Sequence, residues 1–359
     1  MECPAHLVYV SDSAPGYRRQ RKGRGFCYLD ANNEPVCDPA VLQRIEALVI
    51  PPMWEQVWIC ALADGHLQAT GLDQKRRKQY LYHPDWTQFR QSSKFARMSE
   101  FGHALPRIRR RIIHDLKQPG WPKEKVLALV VKLLDETHLR VGNECYRDAN
   151  ETFGLTTLRR KHLKDEGDVL RLEFKGKSGQ YRKVNIKNPG LIKMVRETSQ
   201  LPGYEIFRYL EDGVSKPVDS RDVNEYIQAI ADGPFSAKDF RTWGGTTLAI
   251  EKYAAACEEV ANNPRRKLDT TLVRGVAQEL GNTLSVCREY YIHPDIMGVL
   301  VRGELERYRD IEHLDLPGKA LLRKPELIAL NILEGSQQPA QSAPSKRPAT
   351  TAPRAVPAL

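Results

Sequence analysis

The residues able to do chemistry fall in four stretches of this 359-residue chain. One is Leu280-Gly281-Asn282-Thr283-Leu284-Ser285-Val286-Cys287-Arg288-Glu289-Tyr290-Tyr291-Ile292-His293-Pro294, which sets Tyr291 just ahead of a His-Pro stop. The pattern predicts a short helix opening at Thr283. A lone tyrosine there would be a packing residue whose hydroxyl has found a partner. The other three stretches supply cations suited to a phosphate: Arg140, Lys177 and the pair Lys238/Arg241. A phenol accompanied by guanidinium and ammonium groups suggests phosphoryl transfer to the protein itself.

Cleaving a phosphodiester with a tyrosine makes four demands. The phenol must lose its proton, the charge of the pentavalent phosphorane must be held, the leaving 5′ oxygen must be protonated, and water must be kept out. Arginine meets the second with planar, bidentate geometry. Lysine suits the third, because burial near cations tunes its pKa downward. Singly, each residue has a plainer reading. Arg140 would be a surface or salt-bridged arginine, Lys177 a solvated turn lysine, and Lys238 and Arg241 exposed first-turn charges. Asn282 would be a capping or turn residue after Gly281. Lys175-Gly176-Lys177-Ser178-Gly179 is too short and wrongly flanked for a P-loop. Their joint occurrence is what points to chemistry.

Two differently patterned regions must position these groups. Residues 1–88 read as β-rich, with strands at 57–62, 67–71 and 79–82, an Asp64-Gly65 hairpin signal, and a short helix at 42–48 stopped by Pro51-Pro52. From about residue 90 the apolar period becomes helical, over 101–117 and 123–139. A β insert follows at 169–174 and 180–186, with Lys177 at its tip. Ser236-Ala237-Lys238-Asp239 has capping-box spacing and opens a helix that carries Lys238 and Arg241 three apart. The fold class is therefore α+β: a small β-rich amino-terminal domain (1–88) and a larger, mainly α-helical domain (89–335) with a β-hairpin insert. Residues 336–359 are Pro-, Ala- and Ser-rich without apolar period, and such a tail is expected to be disordered.

The net charge is +10, and basic runs recur at 18–24, 75–78, 107–111 and 159–162. Two of them lie close to aromatics (Phe26, and Tyr80 with Tyr82), which favours a phosphate backbone as partner. No run of 18 apolar residues, no signal-peptide pattern and a mean hydropathy of −0.51 argue against a membrane protein. Seven scattered cysteines without a C-x-x-C pair argue against a zinc site or disulfide framework and for a reduced, cytoplasmic setting.

In this order the motifs resemble those of the type IB DNA topoisomerases, in particular the small poxvirus-like enzymes of bacteria, over about residues 17–333. Leu139-Arg140-Val141-Gly142-Asn143 resembles the segment of the family's first catalytic arginine, and Phe174-Lys175-Gly176-Lys177 that of its hairpin lysine. Lys238-Asp239-Phe240-Arg241-Thr242-Trp243-Gly244 resembles the segment of the second arginine and a helping lysine. Tyr291 takes the nucleophile position, which leaves Tyr290 a packing or DNA-facing residue. Gln79-Tyr80-Leu81-Tyr82 and neighbouring Arg77 resemble a DNA-contacting segment, and Tyr146 stands where the family has another DNA-contacting tyrosine. One position departs from poxviral and eukaryotic relatives, which have histidine nine residues before the nucleophile; here it is Asn282, as is common in bacterial members.

The resemblance implies relaxation of supercoils of either sign through a 3′-phosphotyrosine and religation, without ATP, metal or other cofactor. It also implies a monomer clamping double-stranded DNA, associated with the nucleoid. The rival reading is a tyrosine site-specific recombinase, which shares the catalytic domain. A recombinase usually has His-x-x-Arg where this chain has Lys238 to Arg241, and an α-helical amino-terminal domain. A further rival is a DNA-binding protein without activity, in which these residues are relics.

Overall fold

The short apolar runs of the amino-terminal region pair as antiparallel strands in the computed structural model, which describes residues 4–337. The chain forms two compact units, the first ending at Arg97 and the second beginning at Met98. In the first, β1 (Gly16–Lys22), β2 (Gly25–Leu29), β3 (Glu55–Cys60), β4 (Leu67–Leu72) and β5 (Lys78–Tyr82) make one sheet in the order β2-β1-β3-β4-β5. Helix α1 (Pro39–Ala47) buries Ile45 against Val57 and Ile59 of β3 and Ala69 of β4. Asp38 caps it by accepting from Ala40 N at 2.8 Å.

Helix α2 (Pro84–Ala96) also belongs here, because Trp86 packs edge-on against the His66 ring at 4.7 Å. The unit therefore continues past the boundary expected at residue 88. The basic run at 18–24 is the β1–β2 hairpin, where Arg19 donates to the carbonyls of Ile50, Pro51 and Trp54.

The second unit is mainly helical. Its elements are α3 (Met98–Asp115), α4 (Lys123–Thr137), α5 (Glu144–Asn150), β6 (Leu163–Asp165), β7 (Leu170–Lys175), β8 (Tyr181–Ile186), α6 (Pro189–Gln200), β9 (Arg208–Glu211), β10 (Val214–Pro217) and α7 (Ser220–Ala231). They continue as α8 (Ala237–Glu251), α9 (Tyr253–Asn262), α10 (Leu268–Leu280), α11 (Leu284–Tyr290), α12 (Pro294–Val301) and α13 (Lys324–Gln337). The insert is a three-stranded sheet, since β6 pairs with β7 beside the expected β7–β8 hairpin.

Helices α4 and α8 are buried nearly all round, as core helices must be when apolar residues leave no polar stripe. Phe101 of α3 meets Phe240 and Trp243 of α8 edge to face, at 5.0 and 6.3 Å. A buried ionic knot ties α3, α4, α8 and α13. Arg109 donates to Asp135 (2.8 and 2.9 Å) and to Glu326 (2.7 Å), and Trp243 Nε1 donates to Glu326 at 3.2 Å. Buried charges survive in such a place only when fully paired.

The basic run 107–111 is thus not one solvated, phosphate-seeking face. Arg109 is inside, Arg111 is bound to Asp115, and Arg107 is paired with Asp232. No helix among the described residues is long and apolar enough to cross a membrane. The tail expected from residue 336 lies outside the described residues, save the last two positions of α13.

Candidate active site

Loops at helix ends bring most of the expected residues to one place. Helix α4 stops at His138, whose left-handed backbone (φ 52°) turns the chain toward Leu139 and Arg140. The stretch is pinned from behind: Leu155 N donates to Arg140 O at 3.0 Å and Thr156 N to Val141 O at 2.7 Å. Helix α8 opens with Asp239 reaching back to Ser236 N at 2.8 Å, which leaves Lys238 exposed and buries Arg241 one turn later, at 3% exposure. Helix α10 ends in left-handed Gly281 (φ 58°), and Asn282 follows. Thr283 then caps α11, accepting from Val286 N at 3.4 Å.

Tyr291 lies one residue beyond α11, on a backbone held from three sides. Its N–H donates to Cys287 O at 3.0 Å and its carbonyl accepts from Thr246 Oγ1 at 3.2 Å. Gly245 of α8 lets it approach, for a Cβ there would lie 2.6 Å from Tyr291 O. Tyr290, by contrast, is 38% exposed.

Arg241 organises the centre. Its Nη1 donates to His138 O and its Nη2 to Leu280 O, so one guanidinium joins the ends of α4 and α10. It hydrogen-bonds Tyr291 and lies 5.2 Å from the centre of that ring. Burial, reinforced by the charge of Arg140, lowers the Arg241 pKa to about 10, which leaves it charged at neutral pH. Burial alone would push the Tyr291 phenol up. The charges of Arg241 and Arg140, the hydrogen bond from Arg241 and the charge of Lys177 outweigh it and hold the phenol below its ordinary value.

Arg140 donates through Nη2 to Asn282 Oδ1, which fixes the Asn282 amide with its nitrogen turned away from that guanidinium. Among the described residues, Asn282 Nδ2 and Arg241 Nε are both buried and have no hydrogen-bond partner. Orphaned buried donors are rare and need a reason. One of them, Arg241 Nε, belongs to the guanidinium that hydrogen-bonds Tyr291, and the other to the amide that Arg140 holds.

Lys177 sits in the turn Lys177–Gly179 between β7 and β8, exposed, with Ser178 left-handed (φ 62°). It reaches the centre through the charge it adds at Tyr291. The Lys238 ammonium makes no hydrogen bond or ion pair among the described residues. The side chain of Tyr146 lies outside the described residues.

In the first unit, Tyr80 and Tyr82 share the exposed face of β5, their rings stacked at 6.1 Å, with the Lys78 ammonium 5.7 Å from the Tyr80 ring. Arg77 and Gln79 are both tied to Asp73, whose Oδ2 accepts from Arg77 Nε at 2.8 Å and from Gln79 Nε2 at 3.0 Å. The Arg77 side chain above all, with the backbone N–H groups of Arg77 and Lys75, holds the Asp73 carboxyl down at about 2.

Two residues escaped the sequence reading: Asp73, which orients Arg77 and Gln79, and Arg182 of β8. Arg182 shares its strand parity with Val184 and Ile186, and that alternation was the available signal. Among the described residues no three His, Cys, Asp or Glu side chains converge as metal ligands would.

Comparison with known proteins extends this picture. The family profile for the catalytic core of eukaryotic DNA topoisomerase I matches residues 83–306, and that for the N-terminal domain of bacterial DNA topoisomerase IB matches residues 25–73. DNA topoisomerase 1B of Acanthamoeba polyphaga mimivirus is 31% identical over 285 residues, spanning 77% of this chain and 85% of that one. DNA topoisomerase I of Monkeypox virus is 27% identical over 309 residues, spanning 82% of this chain and 91% of that one. Among solved structures, the XerH site-specific recombinase bound to difH substrate aligns over 52% of this chain and 48% of its own, at 17% identity and a TM-score of 0.34.

Proposed function

The chain belongs to the type IB DNA topoisomerases, and on that premise we propose that Tyr291 is its nucleophile, served by Arg140, Arg241, Asn282 and Lys177. The observation that carries the proposal is a pair of buried donors without a partner among the described residues, Asn282 Nδ2 beside Arg140 and Arg241 Nε on the guanidinium that bonds Tyr291, together with a Tyr291 phenol that cations hold below its ordinary pKa.

The Tyr291 phenol gives its proton to water, its oxygen attacks a backbone phosphorus, and the bond to the 5′ oxygen breaks. Arg241 Nε and Asn282 Nδ2 donate to the non-bridging oxygens of the phosphorane, while Arg140 adds charge and keeps the Asn282 amide turned correctly. Lys177 gives its proton to the departing 5′ oxygen. Lys238, one turn before Arg241, adds charge at the rim. The product is a 3′-phosphotyrosine and a free 5′ hydroxyl, and the downstream duplex swivels to release supercoils of either sign. The 5′ hydroxyl then gives its proton back to Lys177 and attacks the phosphotyrosine; the tyrosine oxygen leaves and regains a proton from water, which restores both the strand and the phenol. The linkage energy is kept in the ester throughout, so the cycle needs no ATP.

The β-rich unit contributes grip through Tyr80, Tyr82, Arg77 and Gln79, with Tyr146 adding a contact from the helical unit. Phosphate contacts of this kind set orientation rather than sequence choice. The protein works as a monomer on double-stranded DNA. The recombinase reading gains no comparable support, since the first unit matches a topoisomerase domain and Lys238 stands where the recombinase histidine would.

Supercoiled plasmids of both signs, incubated with the purified protein in EDTA without ATP, test the activity and should both relax fully. Relaxation that required ATP would contradict the mechanism. The acid is tested separately: Lys177→Ala should be slowed on ordinary DNA and largely restored on a 5′-bridging phosphorothiolate, whose sulfur leaves without a proton. Equal defects on both would assign Lys177 to charge stabilisation.

A further inference from the structure

Arg182 has no place in the mechanism above, yet its side chain runs between two of that mechanism's parts. Its Cγ passes 3.2 Å from where a side chain at Gly176 would begin, and a Cβ on Gly281 would overlap its guanidinium. Gly176 directly precedes Lys177, and Gly281 directly precedes Asn282. The guanidinium donates to Gln278 O at 3.3 Å and to Glu279 O at 2.6 Å. These are carbonyls of the last turn of α10, where the helix dipole favours a cation, and Gln278 O also accepts from Gly281 N at 3.3 Å. Both terminal nitrogens thus donate to α10, which ties the β8 side chain to this junction. Its charge still falls within the field of Arg140 and Arg241. Gly281 fits the junction twice over: it takes the left-handed turn, and it leaves room for the guanidinium to lie on it.

We propose that Arg182 is a positioning residue: by clamping the β7–β8 hairpin to the end of α10, it sets Lys177 against Asn282 so that both address one phosphate. This rests on the reading of Lys177 as the acid. A misplacement of about 1 Å at a reacting group can lower a rate by about 10²-fold, and that bounds the expected effect.

The test is single-turnover cleavage at saturating enzyme, on ordinary duplex and on duplex with a 5′-bridging sulfur. Lys177→Ala, Arg182→Ala, Arg182→Lys and the Lys177→Ala/Arg182→Ala double variant are compared, with duplex affinity and melting temperature measured alongside. Arg182→Ala should cleave ordinary DNA about 10- to 100-fold more slowly, recover most of the loss on the sulfur substrate, and bind duplex as wild type does. Arg182→Lys, whose ammonium can donate to the same carbonyls, should recover much of the rate. The double variant should be no slower than Lys177→Ala alone.

If Lys177→Ala cleaves normally, the acid assignment fails and the inference fails with it. If Lys177→Ala is slow but Arg182→Ala is within about twofold of wild type, the inference alone is overturned. It is likewise overturned if the two defects multiply, or if sulfur rescues Lys177→Ala but not Arg182→Ala. Should Arg182→Ala fail to fold, Arg182→Gln, uncharged and with a single amide group, carries the same comparison.

Discussion

Replacing Arg241 with lysine would separate charge from geometry at the centre of this site. The guanidinium donates to carbonyls on two different helix ends, His138 O and Leu280 O, bonds Tyr291, and keeps Nε free. A lysine has three donors on one point and cannot span these partners, so at least one buried carbonyl loses its bond. An orphaned buried acceptor costs about 1–3 kcal/mol, which sets the expected loss of stability. Removing one preorganised oxyanion donor costs about 10²–10³ in rate, or about 2.7–4 kcal/mol, and Arg241→Lys should fall in that range. Arg241→Gln removes the charge as well. The cations hold the Tyr291 phenol below its ordinary pKa, so losing one raises it, and the rising limb of cleavage rate against pH should move to higher pH in Arg241→Gln and less in Arg241→Lys. Single-turnover cleavage of a suicide duplex across pH, with denaturant melts of each variant, measures all three quantities. An Arg241→Lys protein within tenfold of the wild-type rate would show that the guanidinium geometry is not required.

Asn282→Asp keeps an acceptor for Arg140 but replaces the orphaned donor with negative charge, so it should cleave more slowly than Asn282→Ala; the reverse order would remove the amide from the phosphate. Arg77→Ala should weaken duplex binding and lower the slope of log affinity against log salt by about one, while cleavage at saturating enzyme is kept; lost cleavage of fully bound DNA would contradict a role in grip alone. Burial alone would raise the Glu326 carboxyl, but the Arg109 hydrogen bonds and charge bring it from 4.5 to about 2. Its stabilising contribution is therefore full above about pH 4.5 and fades as pH falls toward 2, and Glu326→Gln should flatten that part of the melting-temperature profile.

The sequence disclosed more of this molecule than single residues would allow, and the reasons are local. Capping chemistry at Ser236 and Thr283, the helical period of 101–117 and the hairpin around Lys177 are short-range signals, and each element forms within a few residues of its expected place. Long-range pairing was hidden. Strands β1 and β2 looked like a basic run because Arg19 spends its charge on carbonyls some thirty residues away. Arg109 looked like one of a solvated cluster, although its partners lie 26 and 217 positions on. Asn282 and Arg140 stand 142 residues apart, so motif order could bring them into one list but not show that one sets the amide of the other. The strand parity of Arg182 with Val184 and Ile186 marks its face, but not its partners, which lie 96 and 97 positions on.

The proposed mechanism stands on Tyr291, not its neighbour, carrying the phosphoryl group. Trapping the covalent complex on a suicide duplex and mapping the modified residue by mass spectrometry tests this directly, with Tyr291→Phe and Tyr290→Phe run alongside. The expected result is a 3′-phosphotyrosine at Tyr291, no adduct in Tyr291→Phe despite retained DNA binding, and substantial adduct in Tyr290→Phe. A phosphotyrosine at Tyr290, or a covalent complex persisting in Tyr291→Phe, would contradict it.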